Sequence, residues 1–120
     1  MTLKQFALGA LLATAATAAL ADDPPHYRAQ CKGSDTRVVK FDYWCDVTVA
    51  PETPDAKVIV FTVKPPGEAP AIVIRSLRNR SGTVDGVPAK ERGVLKDWFH
   101  WVTTNGDDIR FTKPPAGIEY

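Results

Sequence analysis

Groups that titrate near neutrality and candidate nucleophiles are sparse in this sequence. Histidine occurs twice, at His26 and His100, and these are the side chains that titrate near neutrality. Beyond residue 21 the serines are Ser34, Ser76 and Ser81, and none stands in a nucleophile-elbow or Ser-x-x-Lys context. No phosphate loop, dinucleotide fingerprint, calcium loop or zinc-ligand spacing occurs, so no cofactor or metal is expected. Excess charge is missing as well. Apart from Lys4, the basic residues number fourteen and face fourteen acidic ones, all beyond residue 21, so residues 22–120 carry no net charge. Counterion release on nucleic acid requires clustered excess positive charge, and so does attraction to an anionic membrane surface. Neither is expected as a partner.

Long apolar runs are lacking except at the start. Lys4 precedes an uncharged run from Phe6 to Leu20, which closes with Ala19-Leu20-Ala21 before Asp22, Asp23, Pro24 and Pro25. A basic start, an apolar middle and small residues at the −3 and −1 positions make a signal-peptidase substrate. The run falls short of the roughly 20 apolar residues of a spanning helix, so residues 1–21 are expected to be a cleavable signal peptide. Residues 22–120 then form one exported domain, periplasmic or extracellular, without stable membrane insertion; their length suits one core and is too short for two.

Cysteine is limited to Cys31 and Cys45. In an oxidising compartment the two are expected to pair, and neither has a second Cys or a His at ligand spacing. Cys45 belongs to the clearest period-two pattern in the chain. Val39, Phe41, Tyr43, Cys45, Val47 and Val49 alternate with Lys40, Asp42, Trp44, Asp46 and Thr48, which predicts a strand with one buried face. Cys31 lies on a preceding segment, residues 27–32, and the turn between them is signalled by Gly33-Ser34-Asp35. A simple hairpin about that turn sets Cys31 far from Cys45, so the bridge is expected to tie non-adjacent segments.

Two further strands follow, over residues 57–64 and 71–77, separated by Pro-rich loops and suggesting an antiparallel meander. Residues 78–93 show no period and hold Gly82, Gly86 and Pro88, which reads as a loop. The last stretch admits two readings. Residues 98–104 and 107–112 make a hairpin about Asn105-Gly106, or a helix begins at Pro88 and runs to that same Asn-Gly. The hairpin is preferred because it also accounts for Ile109 and Phe111. Counting from a two-residue turn pairs Trp101 with Arg110 and His100 with Phe111, setting His100 on the apolar face. The fold expected is all-β, a single small antiparallel β-sandwich or partly open barrel of about five to six strands with one disulfide. The alternative is α+β with a helix near residues 88–103.

Trp44 stands on the polar side of its strand between Asp42 and Asp46. The two carboxylates are about 13 Å apart along the strand, too far for an acid and base across one glycosidic bond, which needs roughly 5 to 9.5 Å. Flanking a Trp, they suit a contact surface instead. Trp101 and Arg110, opposite each other in the hairpin as counted, suggest a cation–π contact on an exposed face. Arg75, Arg78 and Arg80 form a basic cluster able to receive an anion or to serve as a solvated rim.

These residues point to a non-catalytic extracytoplasmic module that binds a protein or glycan, with Asp42, Trp44, Asp46, Trp101 and Arg110 as contacts. In size, export signal and β-content the chain is similar to small bacterial periplasmic inhibitors of lysozyme, whose sequence motifs it lacks; the likeness is one of class. The other expectations are a small hydrolase with His100 as base, and a structural envelope protein.

Overall fold

The computed structural model describes residues 24–34 and 41–120. The expected signal peptide lies outside them. Eight strands occur among the described residues: β1 (His26–Ser34), β2 (Phe41–Pro51), β3 (Ile59–Lys64), β4 (Ile72–Ser76), β5 (Ser81–Val84), β6 (Val87–Glu91), β7 (Trp98–Thr103) and β8 (Asp108–Thr112). Each pairs antiparallel with the strand before it, and β8 returns to β1 through Cys31↔Phe111 and Lys32↔Arg110, so the sheet closes as an up-and-down barrel. The chain is all-β, and no helix is found among the described residues. Residues 88–103, the alternative helix, instead contribute to β6 and β7.

Period-two alternation builds the wall. Along β1, Tyr27, Ala29 and Cys31 point inward while His26, Arg28, Gln30 and Lys32 face solvent. On β2, Cys45, Val47 and Val49 are buried and Asp42, Trp44 and Asp46 are exposed. An eight-stranded barrel encloses a space that side chains just fill. Here Trp101, Phe111, Phe61, Ile74, Val47 and Val63 are among those that fill it. Closure also removes the unpaired strand edges that would template aggregation.

Cys31 and Cys45 are joined, with Cα atoms 6.1 Å apart. The bridge links neighbouring strands, contrary to the expectation of non-adjacent segments. β1 runs through Gly33 and Ser34 without turning, and the chain returns only at Phe41, so Cys31 faces Tyr43 and Ala29 faces Cys45. The two cysteines are therefore diagonal neighbours on the inner face, within reach of each other.

Two strands exceed the number expected, β5 and β6. They form a hairpin about Asp85-Gly86, with φ of 50° and 82° and Val84 paired with Val87. Left-handed φ at both central residues is the type I′ pattern that Asp-Gly favours, because its twist matches that of the flanking strands.

The β7–β8 hairpin differs from the expected register by one residue. Trp101 faces Ile109, His100 faces Arg110 and Phe99 faces Phe111. Asn105 is not left-handed, whereas Gly106 has φ 90°, and the Gly106 N–H donates to the Thr103 carbonyl while Thr103 N–H donates to Asp107. The loop thus holds three residues, a turn closed by a left-handed Gly. A one-residue shift exchanges the two faces of a strand. Phe99, Trp101 and Thr103 consequently turn inward, and Trp98, His100 and Val102 turn outward.

At the end of the barrel where β8 finishes, the chain beyond Thr112 folds over the opening. Tyr120 packs edge-on to Phe99 at 5.4 Å, and Phe99, Phe61 and Phe111 lie 5.1 to 5.7 Å apart. Tyr27 donates its hydroxyl proton to the Thr112 carbonyl at 2.7 Å. Burial, with the charge of Tyr120 second, raises the pKa of the Tyr27 phenol well above the ordinary tyrosine value.

Candidate functional site

With the interior filled, side chains available for recognition are those on the outer wall. On its β2–β1–β8–β7 half the register aligns two rows. One row runs Asp42, Lys32, Arg110, His100, and the next runs Trp44, Gln30, Thr112, Trp98. Three strand spacings of about 4.8 Å put Trp44 and Trp98 on the order of 14 Å apart across the wall.

Trp44 is 51% exposed, the most exposed of the described aromatic side chains on the strands. Exposure of so large an apolar side chain costs burial energy that a closed barrel has room to recover only on its inner face, so an outward Trp is informative in a way that an outward Leu is not. The Arg28 guanidinium lies over its ring, 5.5 Å from the centroid. Trp98 is matched in the same way by the Lys32 ammonium at 5.3 Å. Beside it a surface pocket of about 220 Å³ is lined by Lys32, Leu95, Trp98 and Arg110.

Of the residues read from the sequence, the structure brings Asp42, Trp44, Asp46 and Arg110 to this one wall, all exposed. Trp101 does not join them. It is 2% exposed and turned into the barrel, with its indole N–H lacking an acceptor among the described residues. The cation–π contact expected between Trp101 and Arg110 is replaced by the pairing of Trp101 with Ile109, a consequence of the three-residue loop. Arg28, Lys32, Leu95 and Trp98 were not among the sequence candidates. The alternation of Arg28, Gln30 and Lys32 with inward Tyr27, Ala29 and Cys31 was the signal for the first two.

His100 is on the outer face but only 8% exposed. Its Nε2 lies 3.0 Å from Asp108 Oδ1, which is also 3.6 Å from Arg110 Nε, and its backbone N–H donates to Glu91. An Asp–His pair is two-thirds of a hydrolytic triad. Ser34 faces Asp108 on the side away from His100, and Ser81, equally distant in register through Lys90 and Val102, donates its hydroxyl to Asn79. Two strands and two residues separate Ser34 from His100, on the order of 12 Å between Cα atoms, too far for the hydroxyl to meet the ring. Both cysteines are occupied by the disulfide.

Two arginines of the basic cluster, Arg75 and Arg78, are spent on structure. Arg75 grips Glu52 through two hydrogen bonds of 2.5 and 2.8 Å, and Arg78 donates to the Ala56 carbonyl, so that the loops following β2 and β4 are tied together. The guanidinium of Arg75 holds the Glu52 carboxyl below the usual carboxylate range. Among the described residues no group of three or more His, Cys, Asp or Glu side chains is placed to hold a metal ion. No helix of the described residues is long and apolar enough to cross a membrane. Compared with known proteins, the chain matches no family model, no curated protein and no solved structure.

Proposed function

We propose that this is an exported, non-catalytic module that binds another protein through the outer wall formed by β7, β8, β1 and β2. The observation that carries the reading is Trp44, half exposed on a rigid strand, capped by Arg28 and flanked by Asp42 and Asp46. Trp and Arg are the residues most enriched at interface hot spots. A wall on which acidic Asp42 and Asp46 adjoin basic Arg28, Lys32 and Arg110 offers a charge pattern that selects a partner by complementarity. A protein is favoured over a neutral glycan because the ring faces of Trp44 and Trp98 already carry cations where a sugar would stack. Export rests on the order of residues in the first 21 positions and on the disulfide, which persists only in an oxidising compartment.

Photo-crosslinking from defined wall positions tests the reading. A benzophenone amino acid in place of Gln30, which faces Trp44 across the β1–β2 pair and leaves it intact, should give one discrete protein adduct in the exporting cell, and the same group in place of Val73, exposed on β4, should not. Equal adducts from both positions, or none from position 30, would remove the proposed interface.

A further inference from the structure

We infer that the pocket of Lys32, Leu95, Trp98 and Arg110 receives a peptide carboxylate borne beside an apolar side chain. This rests on the reading of the outer wall as a protein-binding surface and names the chemistry of one of its contacts. The first observation is electrostatic. Lys32 and Arg110 are directly opposite on β1 and β8, both outward and both exposed. Like charges in directly opposed positions of an antiparallel pair are unfavourable. The available acids relieve only one of them. Asp108 pairs with Arg110 at 3.6 Å, sharing its Oδ1 with His100 at 3.0 Å. Asp42 faces Lys32 from β2, yet no ion pair forms between them, and the Lys32 ammonium turns instead to the Trp98 ring. An anion seated between the two cations would remove their repulsion and gain charge-assisted hydrogen bonds from both.

The second observation is the composition of the pocket wall. Leu95 and the Trp98 indole supply an apolar side to the cationic pair, and Val94 beside them is 69% exposed. An inorganic anion would use the charges and leave this side empty. At about 220 Å³ the pocket has room for about seven waters at roughly 30 Å³ each, enough for a carboxylate together with a neighbouring aliphatic group. A peptide presents that combination in two ways, as a chain end following an apolar residue or as an Asp or Glu beside one.

Three acetylated hexapeptides separate the cases: one ending in Leu with a free carboxylate, the same peptide as its amide, and the amide with Glu placed next to Leu. Binding is read by amide chemical-shift changes at residues 32, 95, 98 and 110 during titration. At least one carboxylate peptide should saturate these shifts and the plain amide should not; which of the two does so assigns the carboxylate to a chain end or a side chain. Lys32→Gln and Arg110→Gln should each weaken the interaction at least tenfold in protein that circular dichroism shows to be folded. Equal binding of the amide, no saturation by any peptide at millimolar concentration, or indifference to both substitutions would overturn the assignment. So would saturation by a glucuronate disaccharide and by no peptide. Retention of the position-30 adduct in Lys32→Gln, Arg110→Gln protein, together with failure of the peptides, would reject this pocket while leaving the wall as the interface. Loss of the adduct in the parent protein rejects the wall itself.

Discussion

Replacing both Cys31 and Cys45 by alanine is expected to lower the unfolding free energy by about 3 kcal/mol, the loop-entropy value for a closed loop of this length. The two positions are 14 residues apart in sequence and 0% and 2% exposed. Alanine is preferred to serine because a buried hydroxyl would add its own desolvation cost. For a domain of about 100 residues each kcal/mol shifts the midpoint by roughly 4 to 8 °C, so a fall on the order of 12 to 24 °C is expected in thermal unfolding followed by circular dichroism. The effect is large because the bridge joins β1 to β2 on the inner face, and β1 is also the strand that closes the barrel against β8. A fall of only a degree or two would mean that the barrel does not depend on the staple.

Trp101→Ala is expected to cost about 3 to 5 kcal/mol, the range for deleting a large buried aromatic. Its side chain is among the largest fully buried in the barrel, and its strand is hydrogen-bonded on both sides within the one closed sheet, which leaves little room to collapse into the void. Trp44→Ala, by contrast, should stay within about 0.5 kcal/mol of the parent, as surface changes do when no buried network is broken. Denaturant unfolding of the two variants side by side checks the assignment of one Trp to the core and the other to the surface. If Trp44→Ala were the more destabilising, the faces of β2 and β7 would have to be exchanged.

The strands that alternation makes readable are those in which every second residue is apolar and the intervening ones charged. β2 is the clear case, and its pattern places Cys45 inward and Trp44 outward as the structure does. β7 was less legible because Phe99, Trp101, Trp98 and Val102 put bulky apolar groups on both faces, so its orientation depended wholly on the turn. Asn105-Gly106 suggested a two-residue loop, but Thr103 accepts from the backbone N–H groups of Asn105 and Asp107 with its Oγ1, holding a wider turn. That single residue moved Trp101 into the core and Trp98 into the candidate site.

The β5–β6 hairpin carried a readable mark in Val84-Asp85-Gly86-Val87. Its strands are only four and five residues long, and Gly82 and Pro88 interrupt the apolar alternation, so the mark stood without flanking strands to support it. Closure of the barrel was not legible at all. It depends on pairing β1 with β8, more than 70 residues apart in sequence, through contacts such as Cys31 with Phe111 that no local pattern encodes. The pocket shares that origin, since Lys32 meets Arg110 and Trp98 only when the barrel closes.

The central claim is that the outer wall around Trp44 binds a protein. Its most direct test is the affinity of Trp44→Ala for the partner identified by cross-linking, measured by calorimetry on protein whose unfolding midpoint matches the parent. A hot-spot Trp is worth about 2 kcal/mol or more, so a loss of at least roughly tenfold in affinity is expected. Undiminished affinity in a folded Trp44→Ala protein would contradict the account.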